Sequence, residues 1–503
     1  MRRFLTLACA MALASLAGPA GAEKTVAVND PAVAGVFDQP SVAISGSIAH
    51  VAYIGAPTTA GPFRVYYAAI YGGSNFSDLS LSRSTPGFLV TPPVTIDNTA
   101  AGNSTYADAR HPKIAIRSAG EAVIFFQAKT VASPDPTYAL YMARLTLENN
   151  VVVKRSVRLV TGVTGYNEDV SIGLVSTGEA AWVAYAGRTG ITGDFQVYCA
   201  RISLDTASVT GTPGTPLRLS SAAGSTGARP LPSLMLDSLN RVHVAWAAND
   251  DTSSPNGVYY ALVKEGTGAD TVAIAATEIL GRSRKWGHPS LLAQATNLVL
   301  ILAADESLPG VAGNIGLMRI NPDADDQDGS PVQVPVDTNF VYSPPGETIL
   351  AESFSLFRPE ASFDILGQIH VTGYGSSGTR STYYAFAFGD DPPYVGFVRA
   401  PATVGIDSAE FPVSLDGDYT RAAIGYFSDG KALIFWSGAA TGTGNRNLDV
   451  TGLGTVRAIQ DDQSGCLVVP ASSPGGPGAD ALLLLLPVAA LWIRRALRQA
   501  IGK

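Results

Sequence analysis

The feature of this chain that most constrains its fold is a sequence unit that recurs through nearly its whole length. Each copy opens with a polar residue and usually a proline, continues into a small or apolar strand, and turns at Gly or Asn into an alternating strand that ends in an aromatic residue. A variable loop then leads to a third strand, often Val-Tyr-Tyr-Ala. The clearest copies begin at Gln39-Pro40-Ser41 and Leu231-Pro232-Ser233. Such internal similarity indicates a repeat architecture.

The spacing of the unit predicts the class of repeat. Its phase is marked by Pro40, Pro112, Asp169, Pro232, Pro289, Pro359 and Pro412, which lie 53 to 72 residues apart with a mean of 62. Short strands and turns at this period are typical of an all-β fold, a β-propeller of seven blades with six or eight as alternatives. We expect Lys24–Val28 to pair near Thr455–Ile459 and so cover the open edge. Two or three β-sandwich domains are the other possibility, but the phase never resets at a sandwich-sized interval.

Composition agrees with this prediction and excludes one class of partner. Charged residues make up only 15% of the chain, with 52 Gly and 32 Pro, which suits strands joined by turns. The net charge is −8 and the body shows no dense basic cluster in sequence, so we expect no nucleic-acid partner. We expect a monomer. Cys199 lies in a strand-like run and is predicted to be a small buried residue, with a Cys199–Cys466 disulfide as the alternative.

The N-terminus carries an export signal. Met1-Arg2-Arg3 precedes a short apolar run and a small-residue site that ends at Ala22. This order predicts a signal peptide over residues 1–22, cleaved after Ala22, and an uncleaved membrane anchor is the alternative.

The C-terminus has a linker and a short apolar segment. Residues 23–465 form the predicted propeller, 466–480 a Cys/Pro/Gly/Ser linker, and 481–503 a hydrophobic helix with a basic end. The apolar run Ala481–Ile493 would reach only about 20 Å as a helix, against about 30 Å of hydrocarbon. Snorkelling of Arg494 and Arg495 and local thinning of the bilayer could still let it serve as a transmembrane helix.

The order Gly465-Cys466, small-residue linker, apolar run and Arg494-Arg495 resembles the Cys-containing C-terminal sorting tails of Gram-negative bacteria, of the MYXO-CTERM, Synerg-CTERM and JDVT-CTERM types. The resemblance implies that a membrane-embedded protease processes the tail near Cys466. It also implies a location at the cell surface, the outer membrane or the periplasm, with the body tethered or released. A plain single-span anchor is the main alternative.

The repeat unit itself resembles the sialidase-like, or BNR-like, propeller repeats. This resemblance implies a propeller whose first strands line a central axis. The family's Ser-x-Asp-x-Gly-x-Thr-Trp turn and the Arg-Ile-Pro motif of sialidases are both missing from the sequence, which puts sialidase activity in doubt.

In a propeller, the residue before each phase marker lies near the mouth of the central funnel. Five of the seven residues at this position are polar, and Arg229 and Glu410 lie close to the two apolar ones. We therefore predict a ligand-binding ring for a sugar or a peptide, made of Gln39, His111, Glu168, Arg229, His288, Arg358 and Glu410. If the protein is an enzyme, the catalytic candidates are Glu168, Asp169, Glu410 and Arg358. The alternative is that these polar groups only cap strand ends.

The acidic run that begins at Asp323 is a candidate calcium site. Asp323, Asp325, Asp326 and Asp328 could hold Ca²⁺, although their spacing departs from known calcium loops and a solvated acidic loop is the alternative. We expect no other cofactor. His243 and His370 are expected to be packed or rim residues.

We favour a non-catalytic module that binds carbohydrate or protein, and the alternative is a secreted glycoside hydrolase or lyase.

Overall fold

A computed structural model gives the fold of residues 25–470, apart from gaps that fall mainly between strands. The residues outside it are 1–24, 30–34, 58–61, 73–87, 91–93, 97–105, 131–137, 164–165, 176–177, 189–194, 211–214, 221–229, 231, 249–256, 267–269, 281–285, 296–297, 306–314, 326–330, 335–354, 364–368, 377–379, 388–405, 408–422, 428–431, 440–445, 454–455, 460–466 and 471–503.

The described residues are all-β. The first strands are β1 Thr25–Ala27, β2 Val36–Ser45, β3 Ile48–Ala56, β4 Arg64–Gly72, β5 Phe88–Val90, β6 Val94–Thr95, β7 Tyr106–Ser118, β8 Glu121–Thr130, β9 Tyr138–Glu148 and β10 Val151–Leu159. Next come β11 Tyr166–Leu174, β12 Ala180–Arg188, β13 Gln196–Ser203, β14 Ser208–Thr210, β15 Leu217–Arg218, β16 Ser233–Leu236, β17 Val242–Ala248, β18 Gly257–Lys264, β19 Thr271–Leu280, β20 Trp286–Ala295 and β21 Leu298–Asp305. The last are β22 Ile315–Asp325, β23 Pro331–Val334, β24 Ser355–Phe363, β25 Ile369–Ser376, β26 Arg380–Ala387, β27 Ile406–Asp407, β28 Ala423–Tyr426, β29 Ala432–Ala439, β30 Arg446–Leu453, β31 Val456–Ile459 and β32 Leu467–Pro470.

The strands form antiparallel groups that follow the sequence repeat. Group I is β2–β6, group II β7–β10, group III β11–β15, group IV β16–β19, group V β20–β23, group VI β24–β27, and group VII β28–β30 with β1. Groups VII and I join through one parallel pair, Val36 with Arg446. The leading strand of each group contacts the leading strand of the next, from β2 through β28, and β28 contacts β2.

The phase marker of the sequence lies at a β-bulge in the leading strand. The register shifts between Asp38 and Ser41, Arg110 and Lys113, Glu168 and Val170, Gly287 and Ser290, and Phe357 and Glu360. The residues left out of the ladder are the marker and, in four of the five groups, the polar or charged residue before it. A bulge re-aims side chains locally, so the repeat encodes a change of direction at the same place in each strand.

The serine beside the marker joins consecutive groups. Its hydroxyl oxygen accepts a hydrogen bond from a leading-strand amide of the next group. The bonds run from Ile114 N to Ser41 Oγ at 3.2 Å, Leu234 N to Ser171 Oγ at 2.9 Å, Leu291 N to Ser233 Oγ at 3.3 Å, and Ala361 N to Ser290 Oγ at 3.2 Å. The donor amides belong to β7, β16, β20 and β24, each of which pairs with one strand only among the described residues.

The core lies between neighbouring groups. In β3, Ala52 packs toward group II, whereas Val51 and Tyr53 pack toward group VII. Alternate residues of a strand point to opposite faces, so the second strands are apolar on both faces. Cys199 is buried as a free thiol in the core between groups III and IV, as predicted.

The N-terminal strand completes group VII. Thr25, Val26 and Ala27 pair with Thr451, Val450 and Asp449 of β30. The predicted pairing of the N-terminal segment with the end of the repeat array is confirmed, but the partner residues are 449–451 rather than Thr455–Ile459. Among the described residues, group VII has three strands of its own, ending with β30, and β1 takes the position beside β30.

Residues Gly454–Lys503 form a second unit, in which β31 pairs with β32. Ala22, Gly465, Cys466 and the run Ala481–Ile493 lie outside the described residues, so the signal-peptide and sorting-tail predictions stay predictions. Within the described part, no helix is long and apolar enough to span a membrane.

The serine bonds give a direct stability prediction. Ser41→Ala leaves the Ile114 amide without its acceptor and should lower the free energy of unfolding by about 1–3 kcal/mol. Ser47→Ala, in the exposed β2–β3 turn, is the matched control and should be within about 0.5 kcal/mol of wild type. Denaturant titration measures both, and equal stability of the two variants would contradict a linking role for Ser41.

Asp449 gives a pH prediction. Burial raises the pKa of this carboxyl, next to β1, to about 6. Because the folded pKa exceeds the unfolded value, folding is most favoured below about pH 4 and loses up to about 3 kcal/mol as the pH rises through 6. Asp449→Asn should remove this component, so the variant should exceed wild type in stability at pH 7.5 and match it near pH 4. A stability difference that does not change with pH would contradict the assignment.

Candidate functional site

Two residues of the predicted ring are described with their side chains, Gln39 and His111. Both lie at leading-strand bulges, directly before a proline, and both have positive φ, 54° and 49° respectively. Left-handed backbone is uncommon for residues other than glycine and carries a strain cost. Two consecutive groups therefore hold the same polar position in the same strained conformation.

Gln39 links groups I and II. Its side-chain oxygen accepts a hydrogen bond from the His111 backbone amide at 2.7 Å. The backbone amide of Gln39 donates to Asp38 Oδ1, also at 2.7 Å. The predicted ring position therefore has a structural role at Gln39, because the side chain pairs with the backbone of the next bulge.

His111 makes a second contact, which the sequence analysis missed. Its Nδ1 lies 2.8 Å from Oε1 of Gln127, on β8. Gln127 is 1% exposed, and its Nε2 has no hydrogen-bond partner among the described residues. A buried amide group left unpaired costs about 1–3 kcal/mol. In four other groups, the same position of the second strand, opposite the bulge, is occupied by Ile54, Ala186, Ala304 or Tyr374. Aligning the repeats would therefore have shown Gln127 as an unusual side-chain amide at this position.

A mixed cluster of charged and aromatic side chains lies further along the same strands. Asp108 accepts hydrogen bonds from the Phe63 amide and the Tyr138 hydroxyl, both at 2.8 Å. Arg110 and Lys129 each lie 5.2 Å from the centre of the Tyr138 ring. Arg110 Nε also lies 3.7 Å from Asp108 Oδ2, so the cluster combines two cations, one carboxylate and one aromatic ring.

The other ring residues are located only in part. Glu168 and Asp169 lie at the bulge of β11, His288 at that of β20 and Arg358 at that of β24. Their side chains are not described, and Arg229 and Glu410 lie outside the described residues. The structure therefore brings together Gln39 and His111, and the convergence of Glu168, Arg358 and Glu410 stays a prediction.

A second polar cluster lies at the other end of the leading strand of group IV, at the β16–β17 turn. Arg241 Nε donates to Asp237 Oδ2 at 2.6 Å, and His243 Nε2 lies 3.3 Å from the same oxygen. His243 Nδ1 accepts from the Tyr260 hydroxyl at 2.8 Å. His243 is fully buried, which confirms the prediction that it is packed.

Charge in this cluster is fixed by its contacts. Burial alone would raise the pKa of Asp237, but hydrogen bonds from Arg241, His243 and two backbone amides outweigh it and hold the pKa low. Burial lowers the pKa of His243, so the imidazole is neutral at pH 7. An open cleft of about 430 Å³ adjoins the cluster, lined by Leu239, Asn240, Arg241, Lys264, Glu265 and Gly266.

Asp323, the first residue of the predicted calcium loop, belongs to this cluster. Its carboxylate accepts a hydrogen bond from Arg241 across groups IV and V. Asp325 is located by its backbone alone, and Asp326 and Asp328 lie outside the described residues. The described part of the chain contains no group of three potential metal ligands, so calcium binding stays a prediction.

Comparisons with known proteins give similarities of fold alone. No protein-family model and no curated protein matches the chain. Among solved structures, an ulvan lyase of a new polysaccharide lyase family is 9% identical, covers 84% of this chain and 95% of its own, and has a TM-score of 0.47. A Hadza microbial sialidase is 10% identical over 82% and 74%, with a TM-score of 0.43. A protein of unknown function from Dyadobacter fermentans is 12% identical over 85% and 97%, with a TM-score of 0.46. At these values the similarity assigns no function.

Two substitutions in the second cluster test its electrostatics. Arg241→Met leaves the buried Asp237 without its cation and should cost about 3–5 kcal/mol. Asp323→Asn removes the partner with a half-exposed side chain (47% exposed) and should cost less than about 1 kcal/mol. Thermal or denaturant unfolding gives both values, and similar losses would show that Asp323 rather than Asp237 is the main partner of Arg241.

Proposed function

We propose that this protein is an exported, surface-sorted β-propeller of seven blades that binds an extracellular carbohydrate or protein. Each of groups I–VII is then one blade, and β1 closes the ring within the last blade. The cyclic order of contacts between leading strands, together with the pairing of β1 with β30, supports this assignment.

The observation that carries the binding proposal is the coincidence of strain and an unpaired polar group at one place. Gln39 and His111 keep left-handed backbone at the bulges, and the side-chain nitrogen of Gln127, beside His111, has no partner in the described part of the chain. Backbone strain persists where the surrounding structure enforces it, and it concentrates at functional sites. The proposed ligand site is therefore the bulge end of the ring, where a movement of His111 would present the Gln127 amide to a ligand oxygen.

Binding is favoured over catalysis by the state of the nearby carboxylates. Asp38 and Asp108 both accept hydrogen bonds from backbone amides, and Asp108 also accepts one from Tyr138. The oxygens that accept these bonds are already occupied by donors of this chain and are not free to contact a substrate. Glycoside hydrolysis or lyase chemistry through Glu168, Asp169, Glu410 and Arg358 is the second candidate.

Export and sorting rest on the two ends of the sequence. The signal peptide directs residues 23–503 out of the cytoplasm, and the tail is recognised by a membrane-embedded protease near Cys466. The mature body is a monomer, tethered or released at the surface of a Gram-negative bacterium. No cofactor is required for binding.

A binding experiment on the mature protein tests the proposal. The protein, isolated from the cells that make it, is titrated against neutral oligosaccharides, acidic polysaccharides and the proteins of the same cell surface. His111→Ala and Gln127→Leu should each weaken binding about tenfold or more, since each removes part of one polar pair. Lys264→Ala, at the other end of group IV, should bind like wild type.

The mass of the same preparation tests sorting. A mature chain that begins at Glu23 and ends near Cys466 is expected. An intact C-terminus on surface-exposed protein would overturn the sorting proposal, and turnover of a polysaccharide that is lost in Glu168→Gln would replace binding with catalysis.

A further inference from the structure

The outer edge of group II differs from the outer edges of the other groups. In the described residues, the outermost strands have two to four residues in every group except II and IV, where β10 has 9 and β19 has 10. β10 pairs with β9 on one side, and no described strand pairs with its other side. A long open edge presents a row of backbone donors and acceptors that another strand could use.

The side chains of β10 are apolar and basic. Val151 and Val153 are 53% and 50% exposed, and Leu159 is exposed as well. Lys154, Arg155 and Arg158 are also exposed, and the strand contains no acidic residue. A segment with three cations stands out in a chain of net charge −8. The expectation that the body holds no basic cluster was wrong here, because Lys154, Arg155 and Arg158 lie within five residues of sequence. The strand assignment adds that they lie on an open edge.

Two of the three cations are held in place by neighbouring groups. Arg155 donates to the backbone oxygen of Thr95 in group I, and Arg158 donates to that of Asp205 in group III. A carbonyl acceptor does not neutralise a guanidinium charge, so both residues keep their positive charge while their position is fixed. The guanidinium groups of both residues are thus tied to the backbone of neighbouring groups.

β19 of group IV provides a comparison within the same molecule. It is equally long, but its exposed residues are Thr271, Ala273, Ala275 and Glu278, which are small or acidic. A lysine on an edge strand can be present simply to prevent aggregation. That role does not explain the exposed valines on β10, which increase the tendency of an edge to pair.

We propose that the outer edge of β10 binds an extended acidic segment of a partner protein by strand addition. The partner's backbone pairs with the open side of β10, which carries a β-bulge at Val153. Alternate residues face opposite sides, and Arg155 reaches group I whereas Arg158 reaches group III. The partner's carboxylates therefore lie near Lys154 and Arg158 on one face, and its apolar side chains lie near Leu159 on the other. Strand addition gives affinity through main-chain hydrogen bonds and specificity through alternate side chains. This surface lies on the perimeter of group II and does not depend on the ligand site proposed at the bulges.

The test uses the mature protein and two labelled ten-residue peptides. One alternates Val with Glu, and the other alternates Val with Lys. The acidic peptide should bind and the basic peptide should not. Lys154→Glu should weaken binding by about fivefold or more, because an attractive charge becomes a repulsive one. Ala273→Glu, the matched change on β19, should bind like wild type.

Amide hydrogen exchange separates strand addition from simple charge attraction. Bound acidic peptide should slow exchange of amides within Val151–Leu159, with no change in Thr271–Leu280. Binding without this protection, equal binding of the Val/Lys peptide, or no binding of the acidic peptide would overturn the proposal. So would tighter binding of polyglutamate, heparin or single-stranded DNA than of the Val/Glu peptide, since charge alone would then explain the site.

Discussion

The hydrogen bond from a leading-strand amide to the serine hydroxyl of the preceding group holds this architecture together. The leading strands β7, β16, β20 and β24 pair with one strand only among the described residues, so some of their amides need acceptors outside the ladder. A buried amide left without a partner is costly. Ser41, Ser171, Ser233 and Ser290 supply the acceptor from the neighbouring group. The serine of the repeat therefore makes the contact between groups.

Stacking sheets in this way leaves few places for polar groups inside. Second strands are buried on both faces, so a histidine in such a strand must be satisfied by its own sheet. His50 and His243 do this alike, each with Nδ1 in a hydrogen bond to the hydroxyl of a third-strand tyrosine, Tyr67 or Tyr260. Burial lowers the pKa of His50 to about 4. These two second-strand histidines are thus neutral core residues.

The sequence predicted the strands and the phase of the repeat well, because alternation and turn residues are local signals. It predicted the role of the repeat residues less well. The residue before the marker was predicted to face a ligand, yet Gln39 pairs with the backbone of His111. The polar residue at the site, Gln127, stands opposite the bulge in another strand. Such pairs depend on register between strands, which one sequence does not specify. The exact partner residues of β1 were missed for the same reason.

The two surfaces that could bind a partner differ in how many of their polar groups are already hydrogen-bonded. At the bulges, polar groups are held by hydrogen bonds within and between groups and are largely buried, so a ligand there competes with existing hydrogen bonds and must match their geometry. On β10, the backbone of the edge is open and its side chains already face solvent, so a partner adds bonds without breaking any. The first arrangement favours selective recognition of a small ligand, and the second favours attachment to an extended chain. Both can be used at once, because they lie on different strands.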